Sequence, residues 1–289
     1  MSHKRKLIIP VASAILIACA FVLVISRTKL HKTVATKASA PAKPTPTPGP
    51  RTLVSEVHLR SGGILPQLHF ALKALGDRLE QTGKERLLLA GVFRSYADAQ
   101  PIQFILVSEL PGRVRVTMQS GISQRTLLFD GQRPTSSDTK LEQADLALLE
   151  TLAYDTPDRF FMGQMGETTP RLLGSHFRAD DGSQSAYAGP YYDIYQVDDT
   201  VKADITARRQ SKLYYFNSTT QLLERVRYNS PRNGVPVEVE VQLDDWRPLQ
   251  NQRIAYRVVR LENGKPVFAV TIASASVGPS VNDGIFSAP

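Results

Sequence analysis

Cysteine is almost missing from this chain. The single one, Cys19, lies in the N-terminal segment, so residues 51–289 hold no thiol for a disulfide, a zinc site or a nucleophile. Histidine is nearly as scarce: beyond residue 50 only His58, His69 and His176 occur, and none has metal-ligand spacing with another. No His-Glu-x-x-His, Gly-x-Ser-x-Gly or Gly-x-x-x-x-Gly-Lys pattern is present, so the zinc-protease, hydrolase-elbow and P-loop chemistries have no footing. Ser61-Gly62-Gly63 lacks a third glycine and reads as a flexible entry to a helix.

Acidic residues are absent from positions 1–50, where eight Lys and Arg stand. The net charge of +8 therefore belongs to this arm, and residues 51–289 balance 27 basic against 27 acidic side chains. A nucleic-acid-binding domain concentrates positive charge to neutralise phosphates; the neutral body gives no such indication, and no nucleic-acid partner is expected.

What the arm does have is an apolar run of 19 residues, Leu7 to Ile25, behind His3-Lys4-Arg5-Lys6. As a helix it is about 28 Å long, close to the hydrocarbon thickness of a bilayer. Residues 1–26 read first as a signal anchor. Two other fates fit: a lipoprotein signal, with Leu16-Ile17-Ala18-Cys19 as lipobox and Cys19 acylated, and cleavage after Ala18-Cys19-Ala20. Residues 27–50 form a linker whose last ten hold five prolines, which favours an extended spacer. The expected location is the bacterial cell envelope, with a periplasmic body anchored to the inner membrane.

The body, residues 51–289, opens with a helix over 66–81, where Leu68, Leu72, Leu75 and Leu79 make one stripe. Strands follow. Val114, Val116 and Met118 alternate with Arg113, Arg115 and Thr117; Val235, Val237, Val239, Val241 and Leu243 alternate with Pro236, Glu238, Glu240 and Gln242. Further strands fit residues 86–93, 102–108, 126–130, 191–197, 212–216, 222–228, 253–261 and 267–274. Turns such as Asp130-Gly131 and Glu262-Asn263-Gly264 separate them. Helices fit 140–153 and 157–165 between the two groups of strands. No helix separates successive strands as a parallel sheet requires. The expected fold is mainly β (α+β): one large curved antiparallel sheet, an incomplete barrel, with helices covering its concave side.

Three carboxylate pairs, Asp180-Asp181, Asp198-Asp199 and Asp244-Asp245, lack calcium-loop spacing and suit turns. The tyrosine pairs at 191–192 and 214–215 suit cross-strand packing. Trp246, the only tryptophan, fits a rim position or a binding anchor. No catalytic constellation is present, and no enzyme activity or cofactor is expected.

Several short motifs point to a family. Glu109-Leu110-Pro111-Gly112-Arg113-Val114-Arg115-Val116 followed by Gln124 to Gln132, ending Phe129-Asp130-Gly131, resembles the Pro-Gly strand and Asp-Gly turn of the LolA/LolB-like superfamily. Lys212 to Phe216 with Leu222 to Val226, and the ending Asp283-Gly284-Ile285-Phe286 before Pro289, resemble its later hairpin and its close. The resemblance spans residues 86–289. It implies a half-barrel whose apolar cavity holds the acyl chains of a lipid or lipoprotein. In the lipoprotein carrier an arginine precedes the strand's proline and holds a lid shut; Leu110 occupies that lid-latch position here. Cavity-lining candidates from the cleanest strands are Val114, Val116, Met118, Leu128, Val237, Val239 and Val241. The other reading of the same sheet is a filled core displayed on a stalk to bind an envelope protein.

Overall fold

The computed structural model describes residues 68–76, 86–98, 100–109, 112–138, 140–165, 169–178, 190–201, 208–232, 234–278 and 283–287. All fall within the compact unit Thr52–Pro289. Cys19, the apolar run and the linker lie outside the described residues, as do Leu110, Leu79 and Asp180-Asp181. Among the described residues, no helix is long and apolar enough to cross a membrane.

Twelve strands form one open antiparallel sheet among the described residues. In chain order they are β1 (Arg86–Ser95), β2 (Ile102–Glu109), β3 (Arg113–Ser120), β4 (Ser123–Phe129), β5 (Pro134–Ser136) and β6 (Arg171–Arg178). Then come β7 (Tyr191–Val201), β8 (Arg208–Asn217), β9 (Leu223–Arg232), β10 (Val235–Leu249), β11 (Gln252–Glu262) and β12 (Lys265–Val277). Their spatial order is β5-β4-β3-β2-β1-β12-β11-β10-β9-β8-β7-β6. The half-barrel expectation is met, with each half of the chain a meander and β1 against β12 joining them.

Among the described residues, three helices lie against the sheet: α1 (Leu68–Leu75), α2 (Gln143–Tyr154) and α3 (Pro157–Met165). The first is shorter than the leucine stripe predicts. It stops at Gly76, whose φ of +88° needs no side chain, and whose position a Cβ would share with the Asn251 carbonyl only 1.7 Å away. At the start of α2, the Asp145 carboxylate accepts the Glu142 backbone N–H at 2.7 Å and an Arg125 guanidinium N–H at 2.5 Å. That carboxyl's pKa is raised by burial, which outweighs both contacts. Helix α3 begins with the Thr156 hydroxyl accepting the Arg159 N–H at 3.3 Å, and with Pro157 in its first turn.

The helix-covered face holds two apolar clusters. Leu87, Phe104, Leu106, Val114 and Phe268 meet Leu148 and Leu149 of α2 in the first. Tyr195, Tyr214, Phe216, Val226 and Val241 meet Leu68 and Leu72 of α1, and Phe160 and Phe161 of α3, in the second. The opposite face of β2–β4 is covered too, because the 3-10 turn Asp283–Phe286 folds back over it. Phe286 packs on Val107 and Leu128, Arg115 donates to the Ile285 carbonyl at 2.6 Å, and Arg113 lies 4.4 Å from the Phe286 ring centre.

Both sheet edges are blunted. β5 is three residues long and begins with Pro134, while β6 pairs with β7 through two register shifts and carries His176 at a φ of +58°.

The tyrosines packed into this sheet make it sensitive to alkali. Burial, reinforced by Glu224, pushes the Tyr192 hydroxyl up to about 12, and burial also raises Tyr195 and Tyr228. A folded-state pKa above the unfolded value contributes stability that is complete below about pH 10 and lost as pH rises through the folded value. Unfolding midpoints are expected to fall between about pH 10 and 12, and to fall less steeply in Tyr192→Phe; a parallel decline in the two proteins would exclude this residue as a source.

Candidate functional site

An apolar pocket opens between the two clusters, with about 870 Å³ of empty space including its mouth. Its floor comes from alternate residues of neighbouring strands: Leu87 and Leu89 of β1, Phe104 and Leu106 of β2, Val114 of β3. Val270 and Ile272 of β12 continue it. Leu243 and Trp246 of β10 with Ile254, Ala255 and Val258 of β11 form the far wall. The period of two puts all five first-named side chains on one face. The corner from the end of α2 to the start of α3 forms the remaining wall, through Leu152, Ala153, Thr156, Pro157, Asp158 and Arg159.

Next to the pocket the helix-covered face turns ionic. Lys212 of β8 donates to Asp155 at 2.5 Å, Tyr228 of β9 donates to the other oxygen of Asp155 at 2.8 Å, and Arg260 of β11 donates to Tyr228 at 3.1 Å. Arg260 also reaches the Thr151 hydroxyl at 3.0 Å, Glu150 at 3.4 Å and Glu262 at 2.9 Å. Lys212 and Arg260 are fully enclosed, at 0% exposure. Burial drives the Asp155 carboxyl above the usual range more strongly than Lys212 pulls it down. No substrate can reach these atoms, so the cluster fastens α2 to the sheet.

The candidate residues divide between several environments. Val114 lines the pocket, and Val116 and Met118 belong to the same cluster deeper along β3. Val239 and Val241 are fully buried in the second cluster, with Val237 half-buried beside it. Leu128 stands on the opposite face, beneath Phe286. It pairs with Arg115 across β3, whereas Leu127 and Phe129 pair with Val116 and Val114. A three-residue apolar run with both faces covered gives no alternation from which to choose.

Trp246 is half-buried in the pocket wall. The tyrosine pairs pack across strands: Tyr192 and Tyr215 meet edge to face at 5.8 Å, and Tyr195 pairs with Tyr214. Asp244 and Asp245 lie inside β10 and not in a turn, Asp245 at a φ of +55°, and they bind Arg257 and Arg247. The chain's pattern did hold a signal for the ionic cluster. Lys212 is in phase with Tyr214 and Phe216, and Arg260 with Val258, so each charge stands where an apolar residue is due.

No family model and no curated protein matches the sequence. Among solved structures, a LolA superfamily protein from Nitrosomonas europaea is similar in fold, at 11% identity over 76% of this chain and 96% of that one, with a TM-score of 0.49. A DUF1329 family protein from Desulfovibrio piger is similar at 10% identity over 76% of this chain and 95% of that one, with a TM-score of 0.45.

Proposed function

We propose that this protein is a non-catalytic binding protein of the bacterial cell envelope, which holds an acyl chain of a lipid or lipoprotein in its apolar pocket. The observation that carries this reading is the pocket: open, walled by aliphatic side chains from six strands, and closed on one side by the α2–α3 corner. Each methylene moved from water into such a wall gains about 0.8 kcal/mol, so a chain of several carbons binds usefully without any catalytic group. The proposed lining is Val114 with its strand neighbours, and the proposed tether is the apolar run Leu7 to Ile25, or a lipid on Cys19. The Pro-rich linker then spaces the body from the membrane.

The test is native mass spectrometry of the full-length protein expressed in a bacterial host, before and after delipidation. The expected spectrum carries one adduct of lipid mass per chain, lost on delipidation and regained from added phospholipid or lipopeptide. A clean apo mass with no uptake favours the filled-core alternative, an interaction module for another envelope protein.

A further inference from the structure

We infer that the buried ionic cluster sets the shape of the pocket, and that Asp155, Lys212, Tyr228 and Arg260 are positioning residues for ligand binding, although none of them lines the pocket. This rests on the acyl-binding reading above and goes further on three observations.

The first is interleaving along the chain. On the α2–α3 corner, Leu152, Ala153, Thr156 and Pro157 line the pocket, while Thr151 and Asp155 bond into the cluster. Each of these lining residues stands within two positions of a cluster member. So short a stretch of backbone cannot absorb a shift of one without moving the other. On β11, Val258 lines the pocket and Arg260, next on the same face, joins the cluster.

The second is the tightness of the corner. Helix α2 ends at Tyr154 and α3 begins at Pro157, so Asp155 and Thr156 alone connect them. The Asp155 N–H closes the last turn of α2 on the Thr151 carbonyl at 3.2 Å, and the Thr156 carbonyl accepts the Phe160 N–H at 3.2 Å to open α3. A displacement of Asp155 therefore passes to both helices.

The third is where the bonds run. Lys212, Tyr228 and Arg260 tie the corner to β8, β9 and β11, whereas the pocket floor lies on β1–β3 and β12. The gap between corner and floor is thus set by where the cluster holds the corner. Charged hydrogen bonds constrain both distance and angle, and a satisfied buried network specifies one arrangement. Apolar replacements of similar bulk keep the volume filled but hold the corner less uniquely.

The experiment sets ligand binding against stability in the double variant Lys212→Met with Asp155→Leu, whose fold is expected to keep most of its stability. Full-length protein, held in a fluorinated surfactant whose chains mix poorly with hydrocarbon, is titrated with the fluorescent acyl probe dansylaminoundecanoic acid. Trp246, in the pocket wall, is read in the empty protein for quenching by acrylamide. At a temperature where both proteins are folded, the double variant is expected to bind the probe about tenfold more weakly than the parent, with Trp246 quenched about twofold more readily. Tyr228→Phe removes one hydroxyl and no charge, and takes the place of the double variant if that one does not fold; about threefold weaker binding is expected of it. Binding equal to the parent's in a folded variant means that the cluster only fastens, which overturns the positioning inference and leaves acyl binding standing. No uptake of the probe by the parent, together with no mass adduct, overturns both.

Discussion

Lys212→Met is expected to lower the stability of the domain by about 3–5 kcal/mol, the cost of removing one partner from a buried ion pair. The loss is large because Asp155 keeps its burial and loses the ammonium group 2.5 Å away. The Tyr228 hydroxyl still donates to it, but the nearest remaining cation, Arg260, is 3.9 Å from its carboxylate oxygen. Lys212→Met combined with Asp155→Leu is expected to regain most of the deficit, since exchanging a whole buried pair for apolar side chains of similar bulk is often neutral. Urea unfolding followed by circular dichroism supplies the measurement, with an unchanged dependence on denaturant as the sign that the two-state comparison holds. A single substitution costing under about 1 kcal/mol would mean that the cluster is hydrated in solution and does not fasten the helix.

Leu152→Glu carries the second large effect, on binding rather than folding. Leu152 lines the pocket from α2 yet is only half-buried, so a carboxylate there can turn partly to water when the pocket is empty. An acyl chain entering the pocket must strip that water away, and acyl retention is expected to fall by about tenfold or more. The melting temperature is expected to stay within a few degrees of the parent, and Leu152→Met to retain ligand as the parent does. Retention unchanged in Leu152→Glu would place the lipid elsewhere.

The sheet was legible because most of its strands obey one rule. Val114, Val116 and Met118 are buried and their neighbours Arg113, Arg115 and Thr117 are not, as a sheet with one covered face requires. Two strands escaped that rule. Pro134–Ser136 is too short for any period, and Arg171–Arg178 is broken by two register shifts around Gly174, so its apolar residues never alternate. Leu128 misled for a different reason. The 3-10 turn that covers it comes from residues 283–286, and no local pattern announces a cover supplied from the far end of the chain.

The site was less legible than the fold. Strand periodicity identifies which residues face inward, but it does not say whether inward-facing residues meet or leave a gap. Val114 borders the pocket and Val241, with the same alternation, is packed shut by rings from α3 and β8. The difference is made by Phe160 and Phe161, which fill one half of the covered face, and by the α2–α3 corner, which leaves the other half partly hollow. Lys212 and Arg260 were visible as charges in the core phase of their strands, and that phase error was the trace of the cluster that fastens the corner.

The pairing of β1 with β12 sets a timetable for the growing chain. These neighbours in the middle of the sheet are separated by about 170 residues of sequence. At a synthesis rate of about 5–20 residues per second, β1 waits roughly 10–30 s for its partner. Throughout that interval the β1–β5 meander presents a long bare edge at β1, unlike the short and bulged edges of the finished sheet. Closure at so great a sequence separation is also slow once the partner arrives. A nascent chain of this design therefore depends on being kept unfolded, or chaperoned, until its last strand has been made.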